Sequence, residues 1–311
     1  MKTKERILAV DGNWVLHRAA FTLKTSRPIG EALAYKFVGM ICKDALSVKA
    51  NYLLVAFDGP DVFRYKVYPQ YKESRREGRG APVDAENAEP ALDVYQYLPD
   101  VYALLHKLGI IFFQPKTYEA DDVLCSVAKF YGKDYKVVCD TVDKDAYQYL
   151  ESRNVCLYDP SAKGKDGKSK PRYIYCEDAE KKKGVSVSQM VDYQTLIGDS
   201  GDSIPPIKGI GPARAKAILT KYGSIKNWHK KCKEDLEFIT AEADNIRRNR
   251  KLVKLCEDVL PPNELQEWKL RKNDKVYKGD KFLSRSFHDY LLFLYPRTRG
   301  LGLILEAIHS T

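Results

Sequence analysis

Five nearly unbroken apolar runs mark the first half of the chain: Ile7–Asp11, Tyr52–Phe57, Ile110–Phe113, Lys136–Cys139 and Asn154–Tyr158. Runs of this length without polar alternation predict strands of a parallel sheet covered on both faces. Longer mixed segments between them, around Glu31–Ser47, Asp93–Lys107, Glu119–Phe130 and Lys144–Leu150, predict helices. The alternation gives an α/β fold with right-handed crossovers, a mostly parallel central sheet flanked by helices. Two stretches break the pattern. Lys72–Gly80 is charged and glycine-interrupted and leads into polar Ala81–Pro90. Ser161–Pro171 is basic and turn-rich and precedes Arg172–Tyr175, which predicts a hairpin or an extended basic loop. Beyond about Val187 the chain turns helical, with helices predicted at Ser188–Ile197, Pro212–Lys221, Ile225–Lys231 and Leu236–Cys256. From Val259 the signals are weak, apart from a helix at Ser284–Leu294.

Three of the apolar runs end on acids: Asp11, Asp58, and Asp140 followed by Asp143 and Asp145. Two further clusters, Glu119-Ala-Asp121-Asp122 and Gly198-Asp199-Ser-Gly-Asp202, add to them. The C-terminal ends of parallel strands form the edge at which α/β proteins build sites. Acids crowded there repel one another unless cations lie between them, and hard divalent cations such as Mg²⁺ favour all-oxygen sites. Taken singly, each acid has an ordinary alternative, a helix cap for Glu119 or a turn for Asp199 and Asp202.

The chain has 311 residues and a formal net charge of +10. That length suits one large domain or two smaller ones. A basic protein that gathers acids at one place fits a polyanionic substrate held by Lys and Arg around a metal centre. Seven scattered cysteines without a C-x-x-C pair predict a reducing compartment. Met1–Arg6 enters a strand at once, which predicts no signal peptide, and no apolar run approaches a membrane span.

In Lys208-Gly-Ile-Gly-Pro-Ala-Arg-Ala-Lys216 a glycine turn opens a helix carrying Arg214 and Lys216. Backbone N–H groups at such a turn can hold a phosphate. The segment resembles the hairpin of helix–hairpin–helix modules, which grip one DNA strand's backbone without reading bases. The ordered motifs extend that likeness. Val10–Ala19 carries Asp11 and Arg18; Phe57–Arg64 carries Asp58 and Arg64; Tyr68–Arg75 reads Y-K-x-x-R from Tyr71 to Arg75; Tyr118–Asp122 contains E-A-D-D; Val142–Asp145 contains a D-x-D pair; Ile197–Pro205 resembles G-D-x-x-D-N-I-P; Asn249–Leu255 resembles a stretch in the later helices. Together, over roughly residues 7 to 255, they resemble the structure-specific 5′ nuclease family. That family comprises flap endonucleases, bacteriophage 5′→3′ exonucleases and the 5′-nuclease domain of bacterial DNA polymerase I.

The resemblance implies a PIN-like nuclease fold at residues 1–186 with a helical arch near 65–95. A helical DNA-binding region follows at 187–258, and an extension at 259–311. It implies a metal-dependent 5′→3′ exonuclease or flap endonuclease acting on DNA with a 5′ flap, nick or end, and on RNA in RNA–DNA hybrids. The implied cofactors are two Mg²⁺ ions, replaceable by Mn²⁺, with a K⁺ at the hairpin. Asp11, Asp58, Glu119 and Asp121 are the expected ligands of the tighter site. Asp122, Asp143, Asp145, Asp199 and Asp202 are expected at the second, some through water. Lys72, Arg75 and Arg18 are the expected catalytic cations. Arg64, Arg76, Lys208, Gly209, Gly211, Arg214 and Lys216 are the expected DNA contacts. Tyr71 either stacks on a base or packs in the core. Asp140 ranks below Asp143 and Asp145. Ser203 stands where the family usually has Asn, and Pro206 where Gly is common, which bears on the turn and its K⁺. A monomeric, phage-type enzyme working in the cytoplasm is the expectation. Two other readings remain: a non-catalytic DNA-binding protein of this fold, which predicts missing acids, and a PIN-type ribonuclease, which predicts no hairpin module.

Overall fold

The computed structural model describes residues 4–23, 29–73, 93–262 and 265–269. Its centre is a six-stranded sheet in the order β3-β2-β1-β4-β5-β6. The strands are β1 (Arg6–Asp11), β2 (Tyr52–Ala56), β3 (Phe112–Phe113), β4 (Lys136–Asp140), β5 (Val155–Asp159) and β6 (Arg172–Ile174). The first five run parallel, and β6 pairs antiparallel with β5 across a turn that includes the Lys163–Ser169 bridge. The basic Ser161–Pro171 stretch is therefore part of a hairpin. From β1 the chain winds outward to β2 and later to β4 on the other side. The ends of β1 and β4 thus form a topological switch point, where such sheets bind ligands.

Successive strand residues point to opposite faces, and the two faces carry separate cores. Leu8, Val10, Leu53, Val55, Val138 and Tyr158 pack under the helices Gly12–Phe21, Ile29–Val48 and Leu98–Leu108. Ile7, Ala9, Leu54, Ala56, Val137, Cys139 and Leu157 pack under the helix Ala120–Tyr131 and the helices of the C-terminal half. The strands lack polar alternation because both faces are covered.

Several elements differ from the sequence expectation. The third strand shortens to Phe112–Phe113, and the predicted helix at 144–150 is a 3₁₀ turn, Asp145–Tyr149. The long helix expected over 236–256 is two, Leu236–Ala241 and Ala243–Val253, joined at Glu242. Gly12–Phe21, unforeseen as a helix, starts directly at the strand end because the Asp11 carboxylate accepts from Trp14 N at 3.0 Å and caps it. The weak-signal region after Val259 reaches back to the sheet. Lys269 bridges Tyr52, and Trp268 is buried against the Tyr131 ring. The expected helix at Ser284–Leu294 and most of the expected arch lie outside the described residues.

Candidate active site

The C-terminal edge of the sheet collects eight of the nine expected metal ligands into one electrostatic neighbourhood. Asp11 ends β1, and Asp58 follows β2 and accepts from Ala120 N at 2.9 Å, which fixes it against the start of the helix Ala120–Tyr131. Asp143 and Asp145 follow β4, with Asp143 accepting from Asp145 N at 2.8 Å. Asp199 and Asp202 sit in the loop after Met190–Ile197, where Asp199 accepts from Gly201 N at 2.8 Å. Burial and then Asp58 push Asp11 up to about 7, with Asp143 adding to the rise. Burial and then Asp143, Asp202 and Asp199 push Asp145 up to about 8. Asp121 is held well above the carboxylate range by burial and by Asp143, Asp11, Asp145 and Asp58.

The fit to divalent cations rests on this donor set. Among the described residues no three His, Cys, Asp or Glu side chains already stand in a metal-holding arrangement. The donors are nevertheless hard carboxylate oxygens, they are crowded and mutually repelling, and Asp121 Oδ1 is shut from solvent without a hydrogen-bond partner. A divalent cation supplies the positive charge that Asp11, Asp121 and Asp145 lack.

Asp122, expected as a ligand of the second site, is excluded from it. It is fully buried and its two oxygens accept four hydrogen bonds, from Arg64 Nη1 and Nη2, Glu119 N and Cys256 N, at 2.6 to 3.0 Å. Arg64, expected as a phosphate contact, is corrected with it. Its side chain is 1% exposed, and all five of its donors are used, on Asp122, Glu119 and the carbonyls of Leu252 and Lys254. A residue so placed cannot touch DNA. Tyr71 resolves toward packing: it is buried, and its hydroxyl lies 3.0 Å from Glu119 and 3.1 Å from Asp202. A base has no face of Tyr71 to stack on.

Lys72 reaches the cluster. Its ammonium donates to Glu119 Oε1, and its backbone N–H donates to the Asp202 carbonyl at 2.8 Å. Burial opposes the Lys72 charge, but Glu119, Asp202 and Asp58 outweigh burial and raise its pKa. Lys72 adopts φ 54°, unusual for a side-chain-bearing residue, so the turn that aims it is held from outside. Ser203, at φ 56°, shows why Asn suits that position: Asn tolerates the left-handed region better than Ser.

Arg18, expected as a catalytic cation, turns the other way. Its Nη2 pairs with Asp44 at 2.6 Å, and its guanidinium lies 4.5 Å from the centre of the Trp14 ring. Asp140, fully buried, faces that same side, since strand alternation sets it with Val138 rather than with the acid edge. Arg75 and Arg76 lie outside the described residues. At the hairpin Lys208, Gly209, Gly211 and Arg214 are exposed, while Lys216 is half-buried. Gly209 takes φ 70°, whereas Gly211 is extended at φ −92° with open space where a Cβ would stand.

Four positions of the site escaped the sequence reading. Thr141 Oγ1 accepts from Asp143 N at 3.2 Å and lies 3.5 Å from Asp11 Oδ2. Gln194 donates to Asp145, and Gln148 donates to Gln194 at 3.0 Å. Asn249 is fully buried and ties Thr195 O to Pro205 O, bracing the loop of Asp199 and Asp202. Gln194 had a signal: it is a polar side chain in the buried row of Met190, Tyr193 and Leu196.

The model of the 5′–3′ exonuclease N-terminal, resolvase-like domain matches residues 6–183, and that of the 5′–3′ exonuclease C-terminal SAM fold matches 185–276. The chain belongs to the 5′–3′ exonuclease family. It is a divalent-metal-dependent DNA nuclease of the 5′→3′ exonuclease and flap endonuclease class. A 5′–3′ exonuclease of Aquifex aeolicus is 33% identical over 283 residues, covering 88% of this chain and 89% of that protein. A thermostable DNA polymerase I of Thermus thermophilus is 33% identical over 229 residues, but the match spans 72% of this chain and only 25% of that protein. The bacteriophage T5 flap endonuclease, crystallised with DNA and metal ions, superposes with a TM-score of 0.63 at 25% identity over 81% of this chain and 89% of its own. The catalytic core of Rad2 with DNA substrate shares the fold, with a TM-score of 0.53 at 16% identity, covering 94% of this chain and 92% of that one.

Proposed function

We propose that the enzyme cuts DNA at 5′ flaps, nicks and ends with two Mg²⁺ ions. Asp11, Asp58, Glu119 and Asp121 would hold one ion and Asp143, Asp145, Asp199 and Asp202 the other. The observation that carries this assignment is the crowd of buried and half-buried carboxylates, the protons of Asp121 and Asp145 being held first by burial and then by mutual repulsion, next to a lysine aimed at the same point. Divalent ions in such a site supply an activated water and stabilise the leaving oxygen.

The chain's own groups do the rest. Lys72 places a positive charge beside Glu119, where it meets the negative charge that grows on the scissile phosphate. Tyr71 holds Glu119 and Asp202 in fixed relation, so the two ligand groups share one hydroxyl. Gln194 and Thr141 orient Asp145 and Asp143 from behind. Lys208, Arg214 and Lys216 at the hairpin grip duplex backbone, and their exposure fits that role. The same site accepts RNA paired to DNA on this reading, and it works as a monomer.

Product analysis on a 5′-labelled flap, a nicked duplex and a blunt duplex with Mg²⁺ tests the proposal. Cutting of the first two that stops in excess EDTA is the expected result. Cutting that persists in EDTA, or that ignores the 5′ structure, would overturn it.

A further inference from the structure

The helix Cys176–Lys183 ends in Lys181, Lys182 and Lys183, and none of them enters the site described above. Lysines in a last turn complement the helix dipole, and a lysine with only that role extends into water. Lys182 and Lys183 fold back instead. Lys182 Nζ donates to the Tyr147 hydroxyl at 3.1 Å, and the two ammoniums lie 5.7 and 5.9 Å from the centre of that same ring. Tyr147 is two residues past Asp145, in the 3₁₀ turn Asp145–Tyr149. The lysines are thereby drawn over the acid end of the molecule. Lys183 is half-buried, and after burial the charges it feels most are Asp145, Lys144, Asp199 and Lys182.

The row continues on the other side. Gly184 closes the helix at φ 72°, and a Cβ there would stand 2.8 Å from Lys216 Nζ, so the Lys216 ammonium rests on the glycine. Lys216 lies in the helix Pro212–Tyr222, which the hairpin opens. Lys144, Lys182, Lys183 and Lys216 therefore lead from the second acid group to the hairpin.

We propose that this row is a backbone-binding track for duplex DNA, holding the phosphates that lie between the scissile bond and the hairpin. The proposal rests on the DNA-cutting reading above. Among the described residues none of the four lysines is salt-bridged, so each ammonium can pair with a phosphate of a polyanion. Single-strand binders add exposed aromatic rings for base stacking. The ring under this row, Tyr147, is 2% exposed, which leaves phosphate as the group the row can hold.

The test is the affinity of the full chain for a nicked duplex, followed by fluorescence anisotropy in EDTA across a range of salt. Wild-type binding that weakens with salt is required first, and its absence overturns the DNA reading itself. Lys182→Gln with Lys183→Gln should then shrink the slope of log affinity against log salt by about 0.9 for each phosphate the variant no longer neutralises. Lys144→Gln, on another element, should shrink it in the same direction. Lys163→Gln with Lys165→Gln, on the β5–β6 turn, is the charge-matched control and should keep the wild-type slope. An unchanged slope in the Lys182/Lys183 variant, or a fall no greater than the control's, would overturn the track.

Discussion

Asp121 holds one carboxylate oxygen in a buried space without a hydrogen-bond partner, while Asp122, its neighbour in the chain, has four hydrogen bonds converging on it. A helix turns by about 100° per residue, so adjacent positions in its first turn face different surroundings. Asp121 meets the other acids of the strand ends; Asp122 meets Arg64 and the chain segment at Cys256. A carboxylate whose acceptors are filled by the protein is architecture, and one left wanting among like charges is open to a cation, the role proposed for Asp121. Glu119 stands between the two conditions, with one oxygen on Arg64 and Tyr71 and the other on Lys72.

The largest expected effect comes from removing the two acids whose charges crowd Asp121. Asp143→Ala with Asp145→Ala should slow single-turnover cleavage on the order of 10³-fold or more. The same variant should melt no lower than wild type in EDTA, since it removes repulsion, and should keep its duplex affinity. Wild-type cleavage in it would show that the second ion is misplaced.

Breaking the satisfied group should act on stability instead. Arg64→Ala leaves Asp122 buried and uncompensated, a change that costs about 3–5 kcal/mol. Urea unfolding reads it directly, and a variant as stable as wild type would erase the contrast between the two aspartates.

Lys72→Ala probes the border. It should lower the single-turnover rate on the order of 10²-fold at saturating enzyme, with a smaller change in affinity, because the charge it meets develops in the transition state. Equal rates once DNA is bound would reduce Lys72 to a partner of Glu119.

The smallest effect is on the pH dependence of stability with metal chelated. A carboxyl whose proton is held more tightly in the folded chain adds stability below its unfolded pKa, about 4, and loses it as pH rises through its folded pKa. For Asp11 and Asp145 those folded values are about 7 and about 8. Tm in EDTA should therefore fall as pH climbs from about 4 to about 8, and Mg²⁺ should raise Tm more near pH 8 than near pH 5. A Tm in EDTA that is flat across this window would mean that the acids do not repel as described.

The sheet was legible in the sequence because five apolar runs without alternation have few other destinations. The acid edge was legible because strand ends share an edge. The division between Asp121 and Asp122 was not, because it depends on Arg64, Leu252 and Lys254, and periodicity does not bring those positions together. Arg64 looked like a phosphate contact because surface and buried arginines are spelled alike. Arg18 and Asp44 had a readable clue, since Asp44 occupies a core position with Ile41, Ala45 and Val48. The glycines of the hairpin share one motif, but only Gly209 needs its freedom for φ; Gly211 is open and extended. Gly211→Val should therefore fold normally, and any loss of DNA affinity in it would report lost close approach rather than strain.

Arg64 also bears on the order in which the molecule becomes an enzyme. Its carbonyl acceptors lie 188 and 190 residues further along the chain. At a synthesis rate of about 5–20 residues per second, roughly 10–40 s separate the arrival of the guanidinium from that of its last partners. For the last part of that interval, between Asp202 and Leu252, every acid of the site has been made, yet the clamp on Asp122 and Glu119 is unfinished. The acid set is therefore made before the clamp that orders it, and the helix Ala243–Val253 with Lys254 behind it is the last part of that clamp to arrive.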